Sequence, residues 1–311
     1  MNQITSNVLI IGSGQSALLI GEALRSGGVR VDFVPDLKTR FATCSEGSYL
    51  ASSSDLVLFA VDADDTLESA VLLQRLLPKT TPVIALQQGI RRLTWAAQAA
   101  PRLQWIRCVM AFDPARLLQS GGATWERRKL YLNDVPQTRH WRPLIEQAGF
   151  EVTLCDDMLS VQWGHLLLQF NALFRLVSGL EFEQMLAMRA WRNRYARVLD
   201  EALWLLGATG IKPWNLLGVP WRMVPMMLRQ NDGMLVGLVS RQLTGSDAGL
   251  VDLSGADEKS MELAIDATCG EIMRLAVGLG VDAPRTVDLA EQLMVIGRRQ
   301  TDKRMEATTE W

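Results

Sequence analysis

Histidine is nearly missing from this 311-residue chain. Only His140 and His165 occur, far apart in sequence, which argues against a histidine-built metal site. Cysteine is scarce as well. Cys44, Cys108, Cys155 and Cys269 show no Cys-x-x-Cys or Cys/His spacing, so neither a zinc site nor a disulfide framework is expected. They read as reduced, mostly buried thiols in a cytoplasmic protein. No charge of one sign dominates: 32 Lys and Arg face 34 Asp and Glu, a formal net charge of −2. With no basic field and no Lys/Arg block, neither nucleic acid nor a membrane surface is an expected partner. No apolar run approaches the roughly 18 to 20 residues of a spanning helix. No charged segment precedes an apolar core and cleavage site, so the strand at Asn7 reads as mature protein. Repeats and low-complexity segments are missing too. What remains is 48% hydrophobic and 21% charged, an ordinary globular composition with length for two domains.

The stretch Asn7-Val8-Leu9-Ile10-Ile11-Gly12-Ser13-Gly14-Gln15-Ser16-Ala17 carries the most information. A β-rich apolar run enters Gly-x-Gly-x-x-Ala, and Leu18, Leu19, Ile20, Ala23 and Leu24 follow at helical spacing. Strand, glycine turn and helix in that order suit a dinucleotide pyrophosphate. Gly12 permits the tight turn, Gly14 lets backbone approach phosphate, Ala17 allows close packing, and the helix N-terminus attracts negative charge. Gly12, Ser13, Gly14, Gln15, Ser16 and Ala17 are therefore the candidate pyrophosphate site. Asp36 ends a second strand-like run (Val29 to Val34) at about the 20-residue spacing expected of a ribose-binding carboxylate, which favours NAD over NADP. Lys38 and Arg40 follow closely and could still hold a 2′-phosphate, and a solvated turn beside Pro35 is the plain alternative for Asp36.

Further strand signals occur at 55–61, 82–86, 105–110, 129–132 and 150–154, with helical runs at about 67–77 and 141–148. This alternation predicts a doubly wound, mainly parallel sheet whose ligand lies at the C-terminal strand ends. From Asp156 the pattern is helical only: 158–178, 181–206, and a run from about 260 to 278 closed by Gly280 and Pro284. The fold class expected is α/β, a Rossmann-type domain over 1–155 followed by an all-helical substrate or dimerisation domain over 156–311. The polar end, 298–311, reads as a frayed tail. The ten tryptophans are dispersed and read mostly as core or interface. Met223, Met226, Met227 and Met234 read as core or dimer-interface filler.

This layout resembles the ketopantoate reductase (2-dehydropantoate 2-reductase) family along nearly the whole chain. The resemblance is carried by Gly12-x-Gly14-x-x-Ala17, by 55–61, by Leu86-Gln87-Gln88-Gly89 in place of the usual Leu-Gln-Asn-Gly, and by Trp163 opening a helix that contains an asparagine. Ile265-Asp266 with Gly270, then Gly280-Val281 and Pro284, complete it. The resemblance implies NAD(P)H-dependent reduction of a small 2-oxo acid or related carbonyl or imine, NADP being the family's usual cofactor. The chemistry residues depart from the pattern. The family's catalytic lysine, the general acid of Trp-x-Lys, falls at His165. Its two asparagines fall at Gln169 and Leu173, and its substrate-binding glutamate at Ala264. A lysine after the third strand is replaced by Asp62, and the residue reading the 2′-phosphate falls at Asp36.

Gln162, His165 and Gln169 form a polar stripe on an otherwise apolar helix, so they face a polar surface, a cavity or a ligand. A histidine can serve as the acid, since its ordinary pKa of about 6.5 leaves imidazolium available near neutrality. A packed core histidine is the competing reading. The resemblance makes His165 and Gln169 the candidate catalytic residues and Gln88 the candidate contact at the nicotinamide end. Asp62 could bond a ribose or, with Asp64 and Asp65, mark a helix N-terminus. Arg107 and Arg116 could pair with an acidic substrate or be solvated. Three functions stay open: a reductase, a catalytically silent dinucleotide-binding sensor or partner subunit, and a helical interaction module on a Rossmann scaffold. A homodimer through the helical half is compatible with the first.

Overall fold

The computed structural model describes residues 6–37, 53–62, 64–86, 89–112, 128–230, 253 and 256–309. The chain divides into two compact units, Met1–Met158 and Leu159–Trp311.

The first unit is a seven-stranded sheet between two helical layers. Its elements in chain order are β1 (Asn7–Ile11), α1 (Gln15–Ser26), β2 (Arg30–Val34), β3 (Leu56–Phe59), α2 (Thr66–Leu76), β4 (Pro82–Ala85), α3 (Arg91–Ala99), β5 (Gln104–Met110), β6 (Lys129–Asn133), α4 (Pro136–Gln147) and β7 (Glu151–Cys155). The sheet order is β2-β1-β3-β4-β5-β6-β7. The first five strands are parallel, while β6 runs antiparallel to β5 and parallel to β7. The pleat sends alternate residues to opposite faces. Val8, Ile10, Leu56 and Leu58 meet Ala17, Ile20 and Leu24 of α1 and Trp141 and Ile145 of α4. Leu9, Ile11, Val57 and Phe59 meet Ala70 and Leu73 of α2 and Leu93 and Ala96 of α3. Burial on both faces explains why the central strands are unbroken apolar runs.

The second unit is helical: α5 (Met158–Ser178), α6 (Phe182–Ala187), α7 (Arg189–Ala208), a 3₁₀ turn (Trp221–Met223), α8 (Val224–Leu228), α9 (Glu258–Ala267), α10 (Cys269–Leu279) and α11 (Pro284–Thr309). Three expectations are corrected here. The helix expected over 181–206 is two helices broken at Met188, whose backbone is extended. Arg192, 1% exposed, supplies the bonds that a continuing helix would make. Its guanidinium donates to Leu186 O (2.7 Å) and Ala187 O (3.3 Å), the last carbonyls of α6, and to Leu228 O (3.2 Å). The helix expected over 260–278 breaks at Thr268, whose hydroxyl donates to Ala264 O at 2.7 Å. Gly280 closes α10 in the left-handed conformation (φ 69°). Pro284 does not mark an end: it opens α11, and the residues expected to fray continue that helix to Thr309.

Several core readings change too. Met223 and Met226 are exposed and so are not core filler, while Met234 lies outside the described residues. Trp141, Trp163 and Trp221 are buried, but Trp95, Trp204 and Trp214 are exposed. Cys108, Cys155 and Cys269 are buried and not disulfide-bonded; Cys44 lies outside the described residues. Among the described residues no helix is long and apolar enough to cross a membrane, and no group of three metal-binding side chains converges.

Glu201 of α7 explains why the chain resumes as a helix at Pro284. Its carboxylate accepts from the backbone N–H of Arg285 (3.0 Å) and Thr286 (2.8 Å) and from the Thr286 hydroxyl (2.7 Å). These are the donors a helix start leaves over, here met by a carboxylate from another helix. Glu201→Ala is expected to lower stability by about 1–3 kcal/mol. Glu201→Gln, which keeps one acceptor oxygen, should recover part of it. Urea unfolding followed by circular dichroism measures both, and an unchanged midpoint in the alanine variant would contradict this role.

Candidate functional site

The order β2-β1-β3 reverses direction at β1, and in open α/β sheets the crevice beyond the strand ends at such a point is where ligands bind. Gly12 sits there. Its N–H donates to Val34 O of β2 (2.9 Å), and Ala60 N donates back to Ile11 O (2.8 Å). Its φ is +119°, and a Cβ would lie 2.2 Å from Ala60 O. Glycine is required here by the protein's own backbone, for conformation and for the approach of the β3 end.

Gly14 differs. It is the N-cap of α1 with φ −67° and ψ 166°, a conformation open to any residue, and a Cβ there would meet no atom of the described residues within 4 Å. Among the described residues neither strain nor packing accounts for this glycine. Ser13, Gly14 and Gln15 are exposed and Ser16 is half-buried. The hydrogen-bond ladder of α1 begins only with Leu18 N to Gly14 O (3.1 Å), leaving the earlier N–H groups ahead of it. Gly14 offers no side-chain cap and no acidic residue lies in the first turn, so α1 brings no side chain of its own against the positive end of its dipole. The residues present fit a phosphate-bearing cofactor.

Ala17 is fully buried. One turn on, a Cβ at Gly21 would lie 2.1 Å from the Phe33 ring and 2.8 Å from Ile10 Cδ1. Gly21, overlooked in the sequence, thus shares with Ala17 the close seating of α1 on the sheet; its position four residues after Ala17 is the signal that could have found it. Asp36 is exposed just past β2, on the same edge as Gly12. Lys38, Arg40, Gln87, Gln88 and Arg116 lie outside the described residues. Gly89, after Gln88, has φ +93°. Asp62 is exposed, and its carbonyl accepts from Asp65 N (3.2 Å) and the Thr66 hydroxyl (3.0 Å), forming the turn that opens α2. Arg107 is half-buried, not simply solvated: it donates to the Thr94 hydroxyl of α3 (3.1 Å), and burial lowers its pKa. Burial pushes the Cys108 and Cys269 thiols up to about 12, which removes both as nucleophiles near neutrality.

In the helical unit, Gln162, His165 and Gln169 are 6%, 7% and 6% exposed. Gln169 Nε2 lies 3.1 Å from His165 Nε2. Gly164, between Trp163 and His165, is explained by packing: a Cβ would lie 2.3 Å from Trp214 O. Trp214 N donates to Ser160 O (2.8 Å), and the Trp221 indole N–H donates to Trp214 O (2.8 Å). The segment between α7 and α8 therefore grips the turn of α5 that carries His165. Asn171, the asparagine of this helix, is buried on the side of the helix opposite the stripe, its Oδ1 without a hydrogen bond among the described residues. Asp266 is bound by Arg274 (Nη1 to Oδ1, 2.5 Å), which also reaches Glu271 (3.2 Å). A Cβ at Gly270 would lie 3.1 Å from that carboxylate, so here Asp266 and Gly270 form a structural pair.

No protein-family model and no curated protein sequence matches the chain. Its fold is that of solved ketopantoate reductases. A PanE/ApbA family ketopantoate reductase from Ralstonia eutropha JMP134 matches with TM-score 0.67 at 18% identity, over 94% of this chain and 99% of that one. A dimeric ketopantoate reductase from Staphylococcus aureus matches with TM-score 0.61 at 14% identity, over 94% and 99%. A D-mandelate dehydrogenase, solved with NADH and anilino(oxo)acetate, matches with TM-score 0.67 at 13% identity, over 94% and 98%.

The two glycines separate scaffold from site. Gly12→Ala should destabilise the first unit by about 1–3 kcal/mol from the positive φ alone, with the Ala60 contact adding to it. Gly14→Ala should cost less than about 1 kcal/mol, the usual difference between these residues at an N-cap. Urea unfolding of both variants is the measurement. Equal losses would contradict the different roles.

Proposed function

We propose that the chain is a divergent ketopantoate reductase-like enzyme that reduces a small 2-oxo acid, or a related carbonyl or imine, with a reduced nicotinamide dinucleotide. The observation carrying this is Gly14: a glycine that neither its backbone nor its described neighbours require, at a helix N-terminus without a side-chain cap of its own beside the β1/β3 switch point. The full-length likeness to ketopantoate reductases and to a D-mandelate dehydrogenase adds a fold-level analogy.

In this reading Gly12, Ser13, Gly14, Gln15, Ser16 and Ala17 form the pyrophosphate site: Gly12 sets the turn, Ala17 seats the helix, and the backbone N–H groups at the start of α1 meet the phosphates. Asp36 accepts the adenosine ribose hydroxyls and repels a 2′-phosphate, which favours NAD; Gln88 serves the nicotinamide end. The cofactor, when bound, supplies the hydride that reduces the carbonyl carbon. As that bond forms, the carbonyl π pair moves to oxygen, and His165 in its imidazolium form gives the oxygen a proton that the ring later regains from water. Gln169 steadies the ring. The domains in this proposal are the Rossmann-type half over 1–155 and the helical half over 156–311. A homodimer through the helical half belongs to the same proposal, and Trp204 and Val277, 58% and 79% exposed, give that half an apolar surface. A catalytically silent dinucleotide-binding protein is the second reading, favoured by Ala264 and His165 standing where the family has glutamate and lysine.

Screening 2-oxo acids with NADH and NADPH identifies a substrate that turns over. With it, His165→Ala should lower kcat by roughly 10²- to 10⁴-fold, the usual contribution of a positioned acid. A kcat within a few-fold of the parent, with thermal stability lowered, would assign His165 to packing.

A further inference from the structure

Gly164 lies inside α5, where glycine weakens a helix relative to alanine, and the reason for it lies outside that helix. A Cβ there would lie 2.3 Å from Trp214 O and 3.2 Å from Trp214 C and N. The same residue is tied to α5 one turn earlier, where Trp214 N donates to Ser160 O (2.8 Å). One residue of the segment between α7 and α8 thus straddles a whole turn of α5. Its carbonyl is held in that seat by the indole N–H of Trp221 (2.8 Å), a residue only 4% exposed. An indole nitrogen only donates and a carbonyl only accepts, so the polarity of this bond is fixed. We propose that Trp221 is a positioning residue for His165: its N–H holds the Trp214 carbonyl against Gly164 and so fixes the turn of α5 that carries the histidine.

The segment can hold a helix because both its ends are anchored to α7. Ile211 N donates to Leu206 O in the last turn of α7 (2.9 Å), and Leu228 O, at the end of α8, accepts from Arg192 of α7 (3.2 Å). Between these points Pro213 and Pro220 restrict the backbone, and Asn215 Oδ1 accepts from Leu217 N (3.2 Å), closing a local turn. The backbone of Trp214 is therefore placed from α7, and α5 is seated on it. With 3.6 residues per helical turn, Ser160 and Gly164 fall on the side of α5 away from Gln162, His165 and Gln169. Trp214 grips the helix from behind the polar stripe. Without the Trp221 N–H, Trp214 O is no longer pinned to Gly164, and the turn settles with His165 displaced. A displacement of about 1 Å arising far from the chemistry can cost about 10²-fold in rate. The consequence for rate rests on the proposed reductase reading; the coupling of Trp221 to the His165 turn does not.

¹H–¹³C correlation spectra of the imidazole groups in the full-length protein test it, because only two histidines contribute. His140, exposed on α4 in the first unit, is the internal reference. Trp221→Phe keeps an aromatic ring and removes the N–H. It should move the His165 signal by more than its linewidth and leave that of His140 in place. Glu201→Gln weakens a different tie of the same unit, between α7 and α11, so it should lower stability without moving His165. With a substrate that turns over, Trp221→Phe should lower kcat by roughly 10- to 10²-fold and leave the KM for the dinucleotide within a few-fold. An unmoved His165 signal in folded Trp221→Phe would overturn the proposal, as would an equal displacement in Glu201→Gln. If Trp221→Phe does not fold, Gly164→Ala, which presses on the same carbonyl from the other side, takes its place under the same two criteria. Failure of the protein to bind any dinucleotide would sink the reductase reading and leave the spectra to decide on Trp221.

Discussion

The contact on which the candidate ligand-binding edge of the first unit depends is the backbone of Gly12 lying against the carbonyl of Ala60. It brings the ends of β1 and β3 together where the strand order reverses, and it turns the chain so that α1 starts beyond the sheet edge. No side chain can replace that hydrogen: the φ of +119° and the 2.2 Å approach both forbid a Cβ. Ala17 and Gly21 then seat α1 closely on β1 and β2. The uncapped first turn, without an acidic residue, presents positive charge from the peptide dipoles alone. The proposed anion binding at this edge therefore rests on packing and on the helix start.

The helical unit solves a different problem, that of holding polar groups inside an apolar assembly. Arg192 takes the carbonyls that end α6 and α8, and Glu201 takes the donors that begin α11. Each gives the backbone groups at a helix end a side-chain partner from another helix.

Much of the scaffold was legible because its signals are local. The β1–glycine–α1 order, the buried strands and the span of α5 follow from periodicity and from the residue types glycine turns demand. The strand reversal at β6 was not visible, since parallel and antiparallel neighbours differ in pairing, not in composition. Helix α3 was missed because only Leu93 and Ala96 face the core, too few to set a period. The breaks at Met188 and Thr268 depend on Arg192 and on a threonine hydroxyl, tertiary and side-chain effects that no propensity encodes. The fate of Pro284 depended on Glu201, more than eighty residues away. For the candidate site, the two glycines looked alike in sequence and differ in structure. Gly12 answers to Ala60, whereas Gly14 answers to nothing among the described residues.

That difference makes one measurement decisive for the central claim. Calorimetric titration of NADH and NADPH into the parent protein and into Gly14→Val asks whether Gly14 is open for a dinucleotide's sake. The account predicts binding by the parent, NADH at least as tightly as NADPH, and loss of both in the variant with its unfolding transition unchanged. Undiminished affinity in Gly14→Val, or no binding by the parent, would contradict it.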